Sequence, residues 1–170
     1  QRAAWTAQGI EFPDWMWEGG AKVFEELYIS EHYGRSQFDS NLFPVIATAL
    51  ANPSDFELYA DDGGEVGGDY DVNYNTSAFM VLVLAKELQE RRGLTEAQSL
   101  GLVLKASAPR NSETPFLDVF GMSLEEFYPS LAKYPAVASN QDWFEGEVIE
   151  APELMPSRGL KLDELLQSAD

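Results

Sequence analysis

Eight consecutive residues, Ala78-Phe79-Met80-Val81-Leu82-Val83-Leu84-Ala85, carry no polar side chain. They follow Tyr74-Asn75-Thr76-Ser77 and give way to Lys86, Glu87, Glu90, Arg91 and Arg92 before Gly93. The run is too short to cross a bilayer. A helix that is apolar on every face must be buried on every face. The pattern therefore predicts a central helix over 73–92, stopped by Gly93, with the rest of the chain packed around it.

A second helix is predicted over 15–33. Asp14 is placed to cap its first turn, and Gly34 to stop it. Within it, Trp17, Ala21, Phe24, Leu27 and Tyr28 recur at helical spacing and predict the buried face. Glu18 lies at the edge of that face. Gly19 and Gly20 cost a helix roughly 1 kcal/mol each relative to alanine, so another backbone or a ligand is expected to come close there. The plain reading of Glu18 is a rim carboxylate paired with Lys22 four residues on or with a distant arginine. His32, in the last turn, reads as a surface cation near the negative end of the helix dipole.

Further punctuation marks shorter elements. Pro44 opens a predicted short helix over 43–51, and Pro53-Ser54-Asp55 a helical turn reaching Tyr59. Thr95-Glu96-Ala97-Gln98 and Ser123-Leu124-Glu125-Glu126 are capping boxes, the second with Met122 and Phe127 as its hydrophobic staple. They begin helices expected to reach about Ser107 and Tyr134. Thr114-Pro115 opens a short helix closed by Gly121. No sheet is expected, beyond one short strand near 147–149. Trp143, Phe144, Val148, Ile149, Leu154 and Met155 are expected to clasp the body in extended form, before a short helix over 160–167. The fold class is mainly α: a compact multi-helix domain over 1–136, with an irregular tail over 137–170.

Charge and residue inventory limit the chemistry. With 29 acidic against 11 basic residues, the 170-residue chain carries a formal charge of −18. Such a surface repels nucleic-acid phosphates and anionic lipid and suits cationic partners. With no cysteine, disulfides and thiolate metal sites are excluded, and the single histidine excludes any two-histidine site within one copy. Five carboxylates in 61–71 invite a calcium reading, although their spacing does not fit an EF-hand and a solvated loop accounts for them. No apolar run approaches a membrane span. The chain begins at Gln1 without a methionine, as a processed product or an excised piece would.

The order of motifs resembles one family. Pro13-x-Trp15-x-x-Glu18-Gly19-x-Ala21 resembles the second zinc motif of the gluzincin metallopeptidases. Tyr74-Asn75-Thr76-Ser77-Ala78-Phe79 resembles the tyrosine helix of their aminopeptidase-like members, and Phe120-Gly121-Met122-Ser123-Leu124-Glu125-Glu126-Phe127 the segment that closes many such domains. The resemblance covers roughly residues 10–135 and implies the C-terminal helical half of a gluzincin catalytic unit. It implies that Glu18 is the third zinc ligand and that Tyr74 hydrogen-bonds the oxyanion of a tetrahedral intermediate. It also implies that Gly19 and Gly20 let the Glu18 helix pack closely on the histidine helix.

The His-Glu-x-x-His segment, with the other two ligands and the general base, is absent. Counted back from Glu18, its second histidine would fall just before Gln1. The resemblance therefore implies zinc only when that segment is supplied from outside this chain, by the N-terminal half of the same protein or another subunit. Peptides would be the substrate, and this chain alone would be inactive. The alternative is a peptidase-like binding or structural module without metal, acting in a larger assembly. Export to the periplasm or beyond is expected from the class.

Overall fold

The computed structural model describes residues 12–53, 70–108 and 114–168. The turn expected to reach Tyr59 and the acidic loop from 61 to 69 lie outside the described residues, apart from Pro53.

The central helix forms as its composition demands. Helix α3 spans Tyr70–Arg92, beginning ahead of the expected Asn73, and every residue from Ala78 to Ala85 is buried. Gly93 ends it at φ 66°, a left-handed conformation that costs glycine little. Helix α1, Asp14–Tyr33, packs along α3 more extensively than any other pair of elements. Its cap position is Pro13 rather than Asp14, which instead stands in the first turn, and Gly34 closes it at φ 66°.

Both capping boxes are formed. Thr95 Oγ1 accepts from the Gln98 amide and Gln98 Oε1 from the Thr95 amide, starting α4, Glu96–Ser107. Ser123 and Glu126 make the same exchange at α6, Leu124–Phe127, which continues as a 3-10 turn over Tyr128–Lys133. Between them α5, Phe116–Phe120, ends at Gly121 with φ 72°. The tail closes with α7, Leu162–Gln167, packed on α4 and α1.

Two expectations fail together. The predicted helix over 43–51 is a strand β1, Leu42–Val45, followed by a short helix α2, Ala47–Ala51. The tail holds two strands rather than one, β2 over Val137–Gln141 and β3 over Phe144–Glu150, joined by the two-residue turn Asp142-Trp143. The three form an antiparallel sheet in the order β1-β3-β2, with Phe43 opposite Ile149 and Ala138 opposite Glu147. Proline suits a helix start or an edge strand equally, and Pro44 lies on the edge. The strand that selects the second outcome lies a hundred residues downstream. Phe43, Val45, Val148 and Ile149 are buried, so the sheet covers the flank of α3. The fold remains mainly helical.

Ion pairs and hydrogen bonds to buried carboxylates hold outer elements to the core helices. Glu87 on α3 receives Lys133 from the 3-10 turn and Arg91 from its own helix. Burial opposes its ionisation, but the bonds from Lys133 and Arg91 outweigh this and hold its carboxyl below the usual range. Glu26, on α1, accepts the Gln37 amide at 2.6 Å and Lys22 at 2.8 Å, fixing the turn that leads to β1.

Candidate functional site

The two glycines of α1 set its orientation. A Cβ built on Gly19 would lie 2.2 Å from the carbonyl oxygen of Ser77 on α3, and one on Gly20 would lie 2.5 Å from Cβ of Ser107 on α4. The close approach expected there is real, but it is made by two helices of this chain and not by a histidine helix. Positions 19 and 20 therefore point inward, and the buried face consists of Trp15, Met16, Gly19, Gly20, Val23, Glu26 and Leu27.

The face expected to be buried is mostly open. Of Trp17, Ala21, Phe24, Leu27 and Tyr28, only Leu27 is buried, and Phe24 and Tyr28 are 41% and 44% exposed. Hydrophobic periodicity scores glycine as nearly blank, so it missed the face on which the absence of a side chain is the packing feature. Trp17, Ala21 and Phe24 of this stripe, with Leu104, Lys105 and Ala108 at the end of α4 and Leu166 of α7, line a groove of about 790 Å³.

Glu18 stands on the rim of this groove, partly buried. At about 100° per residue, Gly20 flanks the stripe on the α4 side and Glu18 flanks it on the other. Lys22 does not pair with it. Its ammonium binds Glu25 at 3.0 Å and Glu26 at 2.8 Å. Burial opposes the charge on Lys22, and those two carboxylates outweigh it and raise its pKa. Among the described residues, no hydrogen bond or ion pair engages the Glu18 carboxylate.

Tyr74 lies near the start of α3, partly buried, one turn before the Ser77 carbonyl that meets Gly19. Both candidate positions thus flank the α1–α3 crossing, although Tyr74 is not among the residues lining the groove. His32 is exposed, its ring 4.2 Å from that of Tyr28. It is fourteen residues beyond Glu18 on the same helix, or roughly 21 Å along the axis. Among the described residues, no three His, Cys, Asp or Glu side chains cluster as a metal site would require. One carboxylate does not hold zinc, and the described residues do not complete a site around it.

No family model matches the chain, and neither a curated protein nor a solved structure matches it.

The groove had no signal of its own in the sequence, because its walls come from three helices far apart in the chain. Its residues at 17, 21 and 24 were visible as part of an apolar stripe. Only the glycine contacts decide that the stripe faces outward.

Proposed function

We propose that the chain is the C-terminal half of a zinc-dependent peptidase catalytic unit of gluzincin type, which hydrolyses peptide bonds once a histidine-bearing helix joins it. One observation carries the reading: an apolar stripe exposed at Ala21, Phe24 and Tyr28, about 10 Å long, beside the carboxylate of Glu18, which no hydrogen bond or ion pair engages among the described residues. A second amphipathic helix laid on Ala21, Phe24 and Tyr28 would bury the stripe and bring its own side chains to Glu18. The rigidity of α1, fixed by Gly19 and Gly20, supports a carboxylate that has to be held in place to ligate.

In this reading Glu18 is the one ligand this chain supplies, and the partner helix supplies the two histidines and the general base. Zinc would polarise the scissile carbonyl and lower the pKa of bound water. Tyr74 would donate a hydrogen bond to the oxygen on which charge develops. Export from the cell belongs to the same proposal.

The test is hydrolysis of a peptide panel by the natural polypeptide that contains both halves. Tyr74→Phe is expected to lower kcat by about 10²–10³-fold with KM little changed, as for loss of one oxyanion donor. Unchanged kcat would remove Tyr74 from the reaction. The same stripe also fits the second reading, a metal-free module whose groove seats a helix of an assembly partner. That reading predicts no hydrolysis of any peptide in the panel.

A further inference from the structure

The tip of the β2–β3 hairpin carries an aromatic pair that the hydrophobic core does not use. Trp143 is 60% exposed, yet its ring has partners of its own. Its Nε1 donates to Gln141 Oε1 at 2.7 Å, and its face leans on the Phe144 ring at 5.6 Å and 32°. Phe144 is held in turn by lying over Gly146, where a Cβ would come within 2.3 Å of its ring. Three consecutive constraints thus hold a large apolar surface toward water, where a free side chain would turn and fold back.

This pair forms one wall of a cavity of about 370 Å³. Ser36, Gln37, Ser40 and Asn75 supply polar lining, and the floor comes from β1 and the start of α3. Among the described residues no charged side chain lines it, in a chain whose formal charge is −18. The other cavities described each include a charged residue. Hydroxyl and carboxamide groups both donate and accept, and aromatic faces suit the C–H face of a ring. The bordering strand β1 contains Pro44, which lacks an N–H, so its edge is a poor template for adding a peptide strand.

We propose that this cavity is a binding site for a neutral saccharide, one sugar ring stacking on Trp143 and its hydroxyls meeting Asn75, Gln37 and the two serines. The volume is at the low end for small-molecule sites and suits one or two sugar units. The proposal stands apart from the peptidase reading.

The test is a ¹⁵N-correlation NMR titration of this chain with cellobiose, maltose, lactose and N,N′-diacetylchitobiose at millimolar concentration. The Trp143 indole peak would be assigned from Trp143→Phe. At least one disaccharide is expected to shift the Trp143 indole and Asn75 carboxamide peaks together, saturably. Trp143→Ala is expected to weaken that binding at least tenfold with the rest of the spectrum preserved. Asn75→Ala, away from the hairpin, is expected to weaken it as well. The proposal is overturned if none of the four sugars moves the indole, if Trp143→Ala binds as well as the parent, or if only a proline-rich control peptide shifts these peaks.

Discussion

A methyl group on Gly19 would sit 2.2 Å from the main-chain carbonyl oxygen of Ser77. Backbone cannot swing aside as a flexible side chain can. Gly19→Ala gains about 1 kcal/mol of helix propensity but forces α1 off α3, an overpacking cost of about 1–3 kcal/mol or more. Net destabilisation is expected, with the melting temperature falling by about 2–4 °C for each kcal/mol lost. Chemical and thermal unfolding measure it. A more stable Gly19→Ala protein would contradict the close crossing.

The buried carboxylate of Glu87 gives a pH-dependent prediction. Its folded pKa is lowered from 4.5, so its contribution is present above that value and is lost as pH falls through the folded pKa. The pKa of Lys133 is raised from 10.5, chiefly by Glu87, so its contribution is present below 10.5 and is lost as pH rises through the folded value. The pair therefore acts at full strength between those two ordinary values. Lys133→Met is expected to cost about 1–3 kcal/mol at neutral pH, for a charged bond to a buried acceptor. The gap from the parent should close in acid, as Glu87 becomes protonated in both proteins. Urea unfolding at several pH values would show it, and a gap independent of pH would refute it.

The capping boxes were readable residue by residue, as were the glycine stops at Gly34 and Gly121 and the burial of 78–85. These are local signals, complete within a few positions. Thr95→Ala and Ser123→Ala each remove the acceptor for one first-turn amide and are expected to cost about 1 kcal/mol. Calorimetry reads each as a drop in melting temperature of about 2–4 °C. No change in either variant would mean that water replaces the hydroxyl at no cost.

What was not readable needed distant partners. Leu42-Phe43-Pro44-Val45 became a strand because Glu147–Glu150 lies beside it. The run Val137-Ala138-Ser139-Asn140-Gln141 became one because β3 returns across the Asp142-Trp143 turn. The face of α1 was inverted because Gly19 and Gly20 pack through what they lack. Glu18 was legible as a rim carboxylate. That its obvious partner Lys22 turns instead to Glu25 and Glu26 was not, since all three acids lie within reach on one helix.

The open stripe should tolerate polarity in this chain and not in the joined unit. Phe24 is 41% exposed, so Phe24→Asp is expected to change the stability of the isolated chain by no more than about 0.5–1 kcal/mol. In the natural polypeptide carrying the partner helix, the same change puts a charge into a buried helix contact and should lower peptidase activity and melting temperature together. Equal behaviour in both contexts would show that nothing covers the stripe.

The most direct measurement of the central claim is zinc content, by elemental mass spectrometry, of this chain joined to the histidine-bearing segment that the proposal requires, on the same polypeptide or on another subunit. One zinc per polypeptide is expected, falling at least tenfold in Glu18→Ala while circular dichroism stays that of the folded protein. A metal-free parent, or zinc retained in full by Glu18→Ala, would contradict the assignment of Glu18 as a ligand.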